Sequence, residues 1–250
     1  MTRLDPKHYL KYSQIQMGVA ANLIAQIDWQ GNERLLDVGS GDGKITAFLR
    51  ELVAEVVGID LCQNMVNFAS ELFPHICFER QSAEEMTFER PFDVITCLSA
   101  LHWVRQPLKA FEKMASALKP GGRAYILTYP SESIFWNPMY KTTKDPLFAP
   151  YMASVVSAYP AKYYCEVAQQ AGLEVISSTL QGHFATHDTL ENIRSYIQAW
   201  LPNFIDLPEE LRSPFLDGAI QNQAVQAVDQ GDGKIHLPYT TLVLIVQKPK

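Results

Sequence analysis

With 250 residues, a formal charge of −6, and 47% hydrophobic against 19% charged residues, the chain has ordinary globular composition and buries roughly three quarters of its unfolded surface. The acidic balance and the lack of a Lys/Arg cluster argue against a nucleic-acid partner, which calls for a basic face. Four scattered cysteines (Cys62, Cys77, Cys97, Cys165), with no C-x-x-C pair, form neither a disulfide framework nor a thiolate zinc site.

The opening "MTRLDPKHYLKYSQIQ" lacks the apolar centre of a secretory signal, so a soluble, cytoplasmic protein with no membrane partner is expected. Ile15, Val19, Leu23, Ile24 and Ile27 follow a helical period. Strand-like and helix-like segments then alternate: "RLLDVG", a helix from Lys44, "VVGID", a helix over Gln63 to Leu72, "ICFERQ", "FDVITCLS", a helix from Pro107 to Leu118, and "RAYILTY". Several of these runs are too continuously apolar to carry a solvated face, which predicts an α/β fold with a doubly wound parallel sheet covered on both sides. After Tyr129 the rhythm breaks into a proline- and aromatic-rich stretch to Pro160, read as a lid. A helix around Tyr164 to Ala171 stops at Gly172, and "LEVISSTL" reads as a strand. A mostly helical stretch follows from about Asp188 to Val228, and "TTLVLIVQK" is a final strand whose "LVLIV" run is far too short to span a membrane.

The stretch "LLDVGSGDGK" (35–44) places a glycine-rich loop between a strand and a helix, the arrangement that aims backbone N–H groups at a ligand. A phosphate-binding P-loop needs Gly at position 38, occupied by Val38, and Ser or Thr after Lys44, where Ile45 stands. A dinucleotide loop needs its third glycine at Lys44. Asp37 and Asp42 flank the glycines and would repel a pyrophosphate by roughly 1–4 kcal/mol per close pair. The loop therefore suits a cationic ligand without phosphates, such as S-adenosylmethionine, with Gly39 and Gly41 allowing backbone approach. Asp60 ends "VVGID" about 20 residues beyond the loop, either on a ribose or as a cap for the next helix. Ser82, Ala83 and Glu84 follow the third strand, and "CLSALHWV" follows the fourth.

Taken together, "LLDVGSGDGK", "VVGID", "QSAEEMTF", "FDVITCLSALHWV" and "LKPGGRAYI" resemble, in order and spacing, the motifs of class I S-adenosylmethionine-dependent methyltransferases over residues 33 to 128. Within that group the chain looks most like the carboxyl methyltransferases that act on juvenile hormone acid, trans-aconitate and a malonyl carrier. The resemblance implies a seven-stranded, mostly parallel Rossmann-like sheet with a helical lid. It implies one domain over 1–250, with a cofactor core at 33–129 and lid or acceptor elements at 130–160 and 182–234. It places Gly39 and Gly41 at the methionine moiety with Asp37 beside them, Asp60 at the ribose, Leu61 against the cofactor, and Ala83 and Glu84 at the adenine. Leu98 and Ser99 lie under the donor, and Tyr12 and Gln16 close over it. Ser82 departs from the family, which often has Asp there.

Methyl transfer from a sulfonium needs alignment and water exclusion more than acid–base chemistry. A carboxylate acceptor is already ionised at pH 7, leaving His102 and Trp103 to orient and desolvate it. A hydroxyl or amine acceptor would instead need a base, for which His102 is the candidate. The same His-Trp pair also reads as lid packing, and a binding protein that keeps the donor site without chemistry stands as a further alternative. The aromatics Phe135, Trp136, Tyr140, Tyr151, Trp200 and Phe204 are either lid core or the lining of an apolar acceptor pocket. His183 and His187 stand in a strand-to-cap stretch without H-E-x-x-H, so no metal is expected. The expected partner is a small carboxylate with an apolar body, and the expected state is a monomer or homodimer.

Overall fold

The structure, a computed structural model, describes residues 4–12 and 14–250. Among these, seven strands form one sheet: β1 (Arg34–Val38), β2 (Glu55–Asp60), β3 (Cys77–Arg80), β4 (Phe92–Leu98), β5 (Leu118–Thr128), β6 (Glu174–His187) and β7 (Ile235–Gln247). Their spatial order is β3-β2-β1-β4-β5-β7-β6. The first five pair in parallel, while β7 runs antiparallel to both β5 and β6. This is the doubly wound, mostly parallel α/β sheet expected from the alternating pattern.

The helices are α1 (Pro6–Tyr12), α2 (Gln14–Ile24), α3 (Lys44–Arg50), α4 (Gln63–Leu72), α5 (Pro107–Ala117), α6 (Trp136–Thr142), α7 (Ala161–Gln170), α8 (Leu190–Phe204) and α9 (Glu209–Ala224). Successive strand residues point to opposite faces, and both faces are buried. Leu35, Val56, Val94 and Leu127 pack into one core with α2, α3 and the lid, while Leu36, Val57, Ile95 and Ile126 pack into the other with α5 and α7. Each fully buried aliphatic side chain contributes about 1.5–3 kcal/mol, so neither face can be exposed. The lid's core is aromatic: Trp136, Trp200, Phe204 and Phe215 share the first core.

Three elements differ from the sequence-based expectation. Helix α1 was not expected, yet its start is capped by Asp5, whose Oδ1 accepts from the backbone N–H groups of Lys7 (3.0 Å) and His8 (3.3 Å), with Pro6 at the first helical position. Strand β6 runs on through His187, so residues 182–187 are sheet and the helical part of the insertion begins at Leu190. The segment "QGHFATH" has weak strand character alone; its ladder comes from Ile235 to Thr241 of β7, far away in sequence. Strand β5 likewise begins at Leu118, opposite Phe92, before the Gly121-Gly122 turn signal. Among the described residues no helix is long and apolar enough to cross a membrane.

Candidate active site

The sheet order reverses between β1 and β4, the switch point at which open α/β sheets bind ligands beyond their carboxyl ends. A cleft of about 720 Å³ opens there, within the size range of small-molecule sites.

The glycine loop forms one wall. The N–H groups of Gly39 and Ser40 both donate to Ile59 O, at 2.8 and 2.9 Å, which fastens the loop to β2. Gly39 has a φ of 79°, and a Cβ there would lie 2.3 Å from Ala100 Cβ, so glycine alone lets the β1 and β4 loops meet. The Gly41 N–H donates to Asp60 Oδ2 (3.0 Å) and the Cys62 N–H to Asp60 Oδ1 (2.8 Å). Burial raises the Asp60 pKa, and these two N–H groups oppose the rise.

On the next wall, the Ser82 hydroxyl accepts from the Glu84 N–H (3.1 Å), and Glu84 Oε1 accepts from the Gln106 N–H (2.7 Å). Ser82 therefore makes the turn contact for which Asp is common, and Glu84 ties the β3 loop to the β4 loop. Leu61, Ala83 and Glu84 all line the cleft.

Beyond β4, Ser99 lines the cleft with a φ of 61°, in the left-handed region. Such a conformation costs of order 1–3 kcal/mol for a residue with a Cβ, and its N–H is held by Leu127 O (2.8 Å). Trp103 also faces the cleft. His102 does not. It is 4% exposed, its Nδ1 lies 3.2 Å from Thr128 Oγ1, and the rings of Trp103 and Tyr129 flank it at 4.5 and 4.9 Å. Burial pulls its pKa down to about 3, so the ring is neutral at pH 7.

Several expected contacts lie elsewhere. Asp37 is 2% exposed beneath the loop, accepting from the hydroxyls of Thr46 (2.7 Å) and Thr96 (2.8 Å), and burial pushes it up to about 6. Leu98 is buried under the cleft floor, and Gln16 is buried outside the lining with its Oε1 unpartnered. Tyr12 stands off the cleft, its ring 4.7 Å from His8 and its hydroxyl turned to Ser195 of α8, which lowers its pKa. One helical turn earlier, Tyr9 lines the cleft and reaches over Gly41. Burial and the nearby Asp42 and Asp60 carboxylates raise its pKa. Lys44 Nζ donates to Leu10 O (2.8 Å), clamping α1 onto the glycine loop. The resemblance implies Tyr12 at the donor, whereas the tyrosine that lines the cleft stands three residues earlier on the same helix.

The lid closes the cleft with residues that no local motif announced, among them Ser154, Asn203 and Arg212, and Arg105 borders it as well. Arg105 Nη2 donates to Ser154 O (2.9 Å) and Arg212 Nε to Leu207 O (3.3 Å), so both guanidinium groups brace lid backbone.

The site fits a cationic ligand without phosphates: a glycine loop with no spare P-loop geometry, a half-buried strand-end carboxylate and acidic neighbours. A family model for a methyltransferase domain matches residues 14–178. The trans-aconitate 2-methyltransferase of Methylobacterium nodulans is 24% identical over 265 aligned positions, covering 100% of both chains. The juvenile hormone acid O-methyltransferase of Drosophila melanogaster is 24% identical over 245 positions, 87% of this chain and 81% of the relative. A crystal structure of a Bacillus halodurans protein proposed to be a methyltransferase superposes with a TM-score of 0.65 at 20% identity, covering 92% of this chain and 98% of that one. The strand order, the loop at the switch point and these matches lead to one assignment: the chain belongs to the methyltransferase domain family, as an S-adenosylmethionine-dependent methyltransferase.

Proposed function

We propose that the chain transfers a methyl group to the carboxylate of a small acid with an apolar body, giving a methyl ester. The donor side rests on Asp60: it lines the cleft, and each of its oxygens accepts one backbone N–H, which leaves acceptor capacity for a ribose hydroxyl. The methionine end then lies along Gly39 and Gly41 beneath Tyr9, the adenine beside Leu61, Ala83 and Glu84, and the sulfonium near Ser99 above Leu98. Asp37 acts at one remove, holding the end of β1 through its two threonines. When bound, S-adenosylmethionine supplies an electrophilic methyl group and leaves as S-adenosylhomocysteine.

The single observation that carries the acceptor class is the state of His102. The ring follows β4 but lies outside the cleft lining, enclosed by aromatic rings, and burial lowers its pKa to about 3, which makes it a weak base. A hydroxyl or amine acceptor would require a base there; a carboxylate requires none, because it is ionised at neutral pH. Trp103 then supplies a dry wall against the acceptor. The names of the relatives, a trans-aconitate and a juvenile hormone acid methyltransferase, point to the same class.

The test is calorimetric titration of S-adenosylmethionine and S-adenosylhomocysteine into wild type and Asp60→Ala, with NADH as control, followed by detection of methyl esters over a panel of carboxylic acids. Binding of both sulfur ligands, weakened in the variant, together with ester formation is the expected result. Methylation confined to alcohols or amines would overturn the acceptor class.

A further inference from the structure

The charges that line the cleft are sorted by wall. Asp60 and Glu84, on the donor side, accept from backbone N–H groups. Among the described residues, the cations that line the same cleft are Arg105 and Arg212. A short hydrogen-bonded path sets both on one stretch of the lid rim. Arg105 Nη2 donates to Ser154 O (2.9 Å), the Asp206 N–H donates to Ser154 Oγ (2.9 Å), and Arg212 Nε donates to the carbonyl of the next residue, Leu207 (3.3 Å). A guanidinium carries several N–H donors in a fixed fork, and each of these two uses a single one to fix its orientation. Elsewhere in the fold Arg34, Arg90 and Arg194 are paired with carboxylates. Among the described residues neither cleft arginine is so paired, although Asp206 lines the same rim. A sulfonium donor brings its own positive charge and has no use for arginines beside it, so this rim calls for an anion.

We propose that Arg105 and Arg212 receive a second carboxylate on the methyl acceptor, so that the acceptor is a dicarboxylic acid methylated at the end away from the arginines. This inference rests on the carboxyl-acceptor reading above and narrows it. Trp103, Val104, Val156 and Pro202 line the same cleft and give the apolar middle of such an acid its wall. At about 720 Å³ the cleft is more than twice the smallest ligand sites, of about 300 Å³, so donor and acceptor both have room. An arginine fork takes a carboxylate through two parallel N–H···O bonds, which makes the far end of the acid its handle. The reacting end stays free of cations, which would stabilise it as strongly in the ground state as in the transition state. Selectivity follows from the same contact. A monocarboxylic acid of equal length loses the bonds to the rim, and a monoester turned end for end presents a neutral ester to the arginines, so methylation stops after one transfer.

The test titrates the linear dicarboxylates from succinate to sebacate, each beside the monocarboxylate of the same carbon number, into the chain saturated with S-adenosylhomocysteine. Wild type, Arg105→Gln, Arg212→Gln and Arg212→Lys are compared, and methylation of the best-bound diacid is followed to monoester and diester. In wild type at least one diacid is expected to bind about tenfold or more tightly than its matching monoacid. Each Gln variant should remove most of that preference and Arg212→Lys should keep part of it, with monoacid and S-adenosylhomocysteine affinities unchanged and monoester as the product. Circular dichroism shows which variants fold, and the Arg212 pair carries the test if Arg105→Gln does not. The proposal is overturned if wild type binds no diacid better than its monoacid, or if the preference survives both Gln variants. It is equally overturned if folded Gln variants lose diacid and monoacid alike, which is the mark of lid bracing alone, or lose S-adenosylhomocysteine, which would assign the arginines to the donor's own carboxylate. A wild type that binds S-adenosylhomocysteine but esterifies no acid would instead overturn the carboxyl-acceptor reading, and one that binds no sulfur ligand would overturn the donor cleft.

Discussion

The two walls of the cleft are built on opposite principles. On the donor side, side chain and backbone satisfy one another: Asp60 with Gly41 and Cys62, Ser82 with Glu84, Glu84 with Gln106, and Asp37 with Thr46 and Thr96. On the acceptor side, rings pack on rings, and His187 Nε2 is buried without a hydrogen-bond partner. Each buried unpartnered group costs about 1–3 kcal/mol, and on the donor side the Ser40 hydroxyl of the glycine loop carries the same cost. Under the proposed function, the donor wall is held largely by its own hydrogen bonds before a ligand binds, whereas the ring-lined wall is held by packing.

The largest blow to the donor wall is Gly39→Ala. A left-handed φ costs an alanine about 1–2 kcal/mol, and the 2.3 Å approach to Ala100 adds overpacking of about 1–3 kcal/mol. Thermal unfolding is expected to show a loss of about 2–5 kcal/mol, with binding of S-adenosylhomocysteine lost in calorimetry. Next is Asp60→Ala, which removes a carboxylate that the loop backbone has pre-positioned. Affinity for the donor should fall about a hundredfold while kcat at saturating donor changes little. A drop in melting temperature with no change in affinity would assign Asp60 to capping alone.

The third effect is smaller and has the opposite sign. Asp37 is lifted from its ordinary 3.8 to about 6, chiefly by burial and against the pull of two threonine hydroxyls. Between those two pH values the unfolded chain has released a proton that the folded chain still holds, so stability falls as pH rises from about 4 to about 6. Asp37→Asn is uncharged at every pH, and the threonine hydroxyls can rotate to accept from its amide. The variant is expected to be more stable than wild type at pH 7–8 by about 1–3 kcal/mol and to lack this slope, as read by urea unfolding across pH 4–8.

The same contrast explains what the sequence discloses. The donor wall is local: Gly39 and Gly41 sit in one loop, Asp60 ends the next strand, and Ala83-Glu84 follow the third, so short motifs at strand ends locate them without knowledge of the fold. Tyr9 escaped because the Asp5-Pro6 cap of its helix precedes no obvious apolar run, and Tyr12 lies on nearly the same face. The acceptor wall is tertiary. Trp200 and Tyr129 are 71 residues apart (200 minus 129), and the fold brings them to one aromatic cluster through Phe135, whose ring packs on both. Likewise the strand character of 182–187 depends on pairing with β7. Packing of this kind leaves no periodic trace in the sequence.

The smallest expected effect sharpens the comparison most, because it separates packing from proton transfer at His102. Burial lowers its pKa from 6.5 to about 3. As pH falls below 6.5 the unfolded chain takes up a proton that the folded chain refuses, so the stability His102 contributes is present above that pH and is lost toward acid. His102→Phe removes this acid-side slope, keeps a ring among Trp103, Tyr129 and Trp136, and deletes the Thr128 contact. If the ring only packs, kcat/KM for a carboxylate acceptor should fall less than about tenfold, and the profile should stay flat between pH 6 and 8, as in wild type. A general base would behave differently: wild-type activity would climb with pH, and the variant would lose about a hundredfold to ten-thousandfold. Because no proton leaves a carboxylate when its oxygen takes a methyl group, a flat profile in both proteins is what a carboxylate acceptor requires.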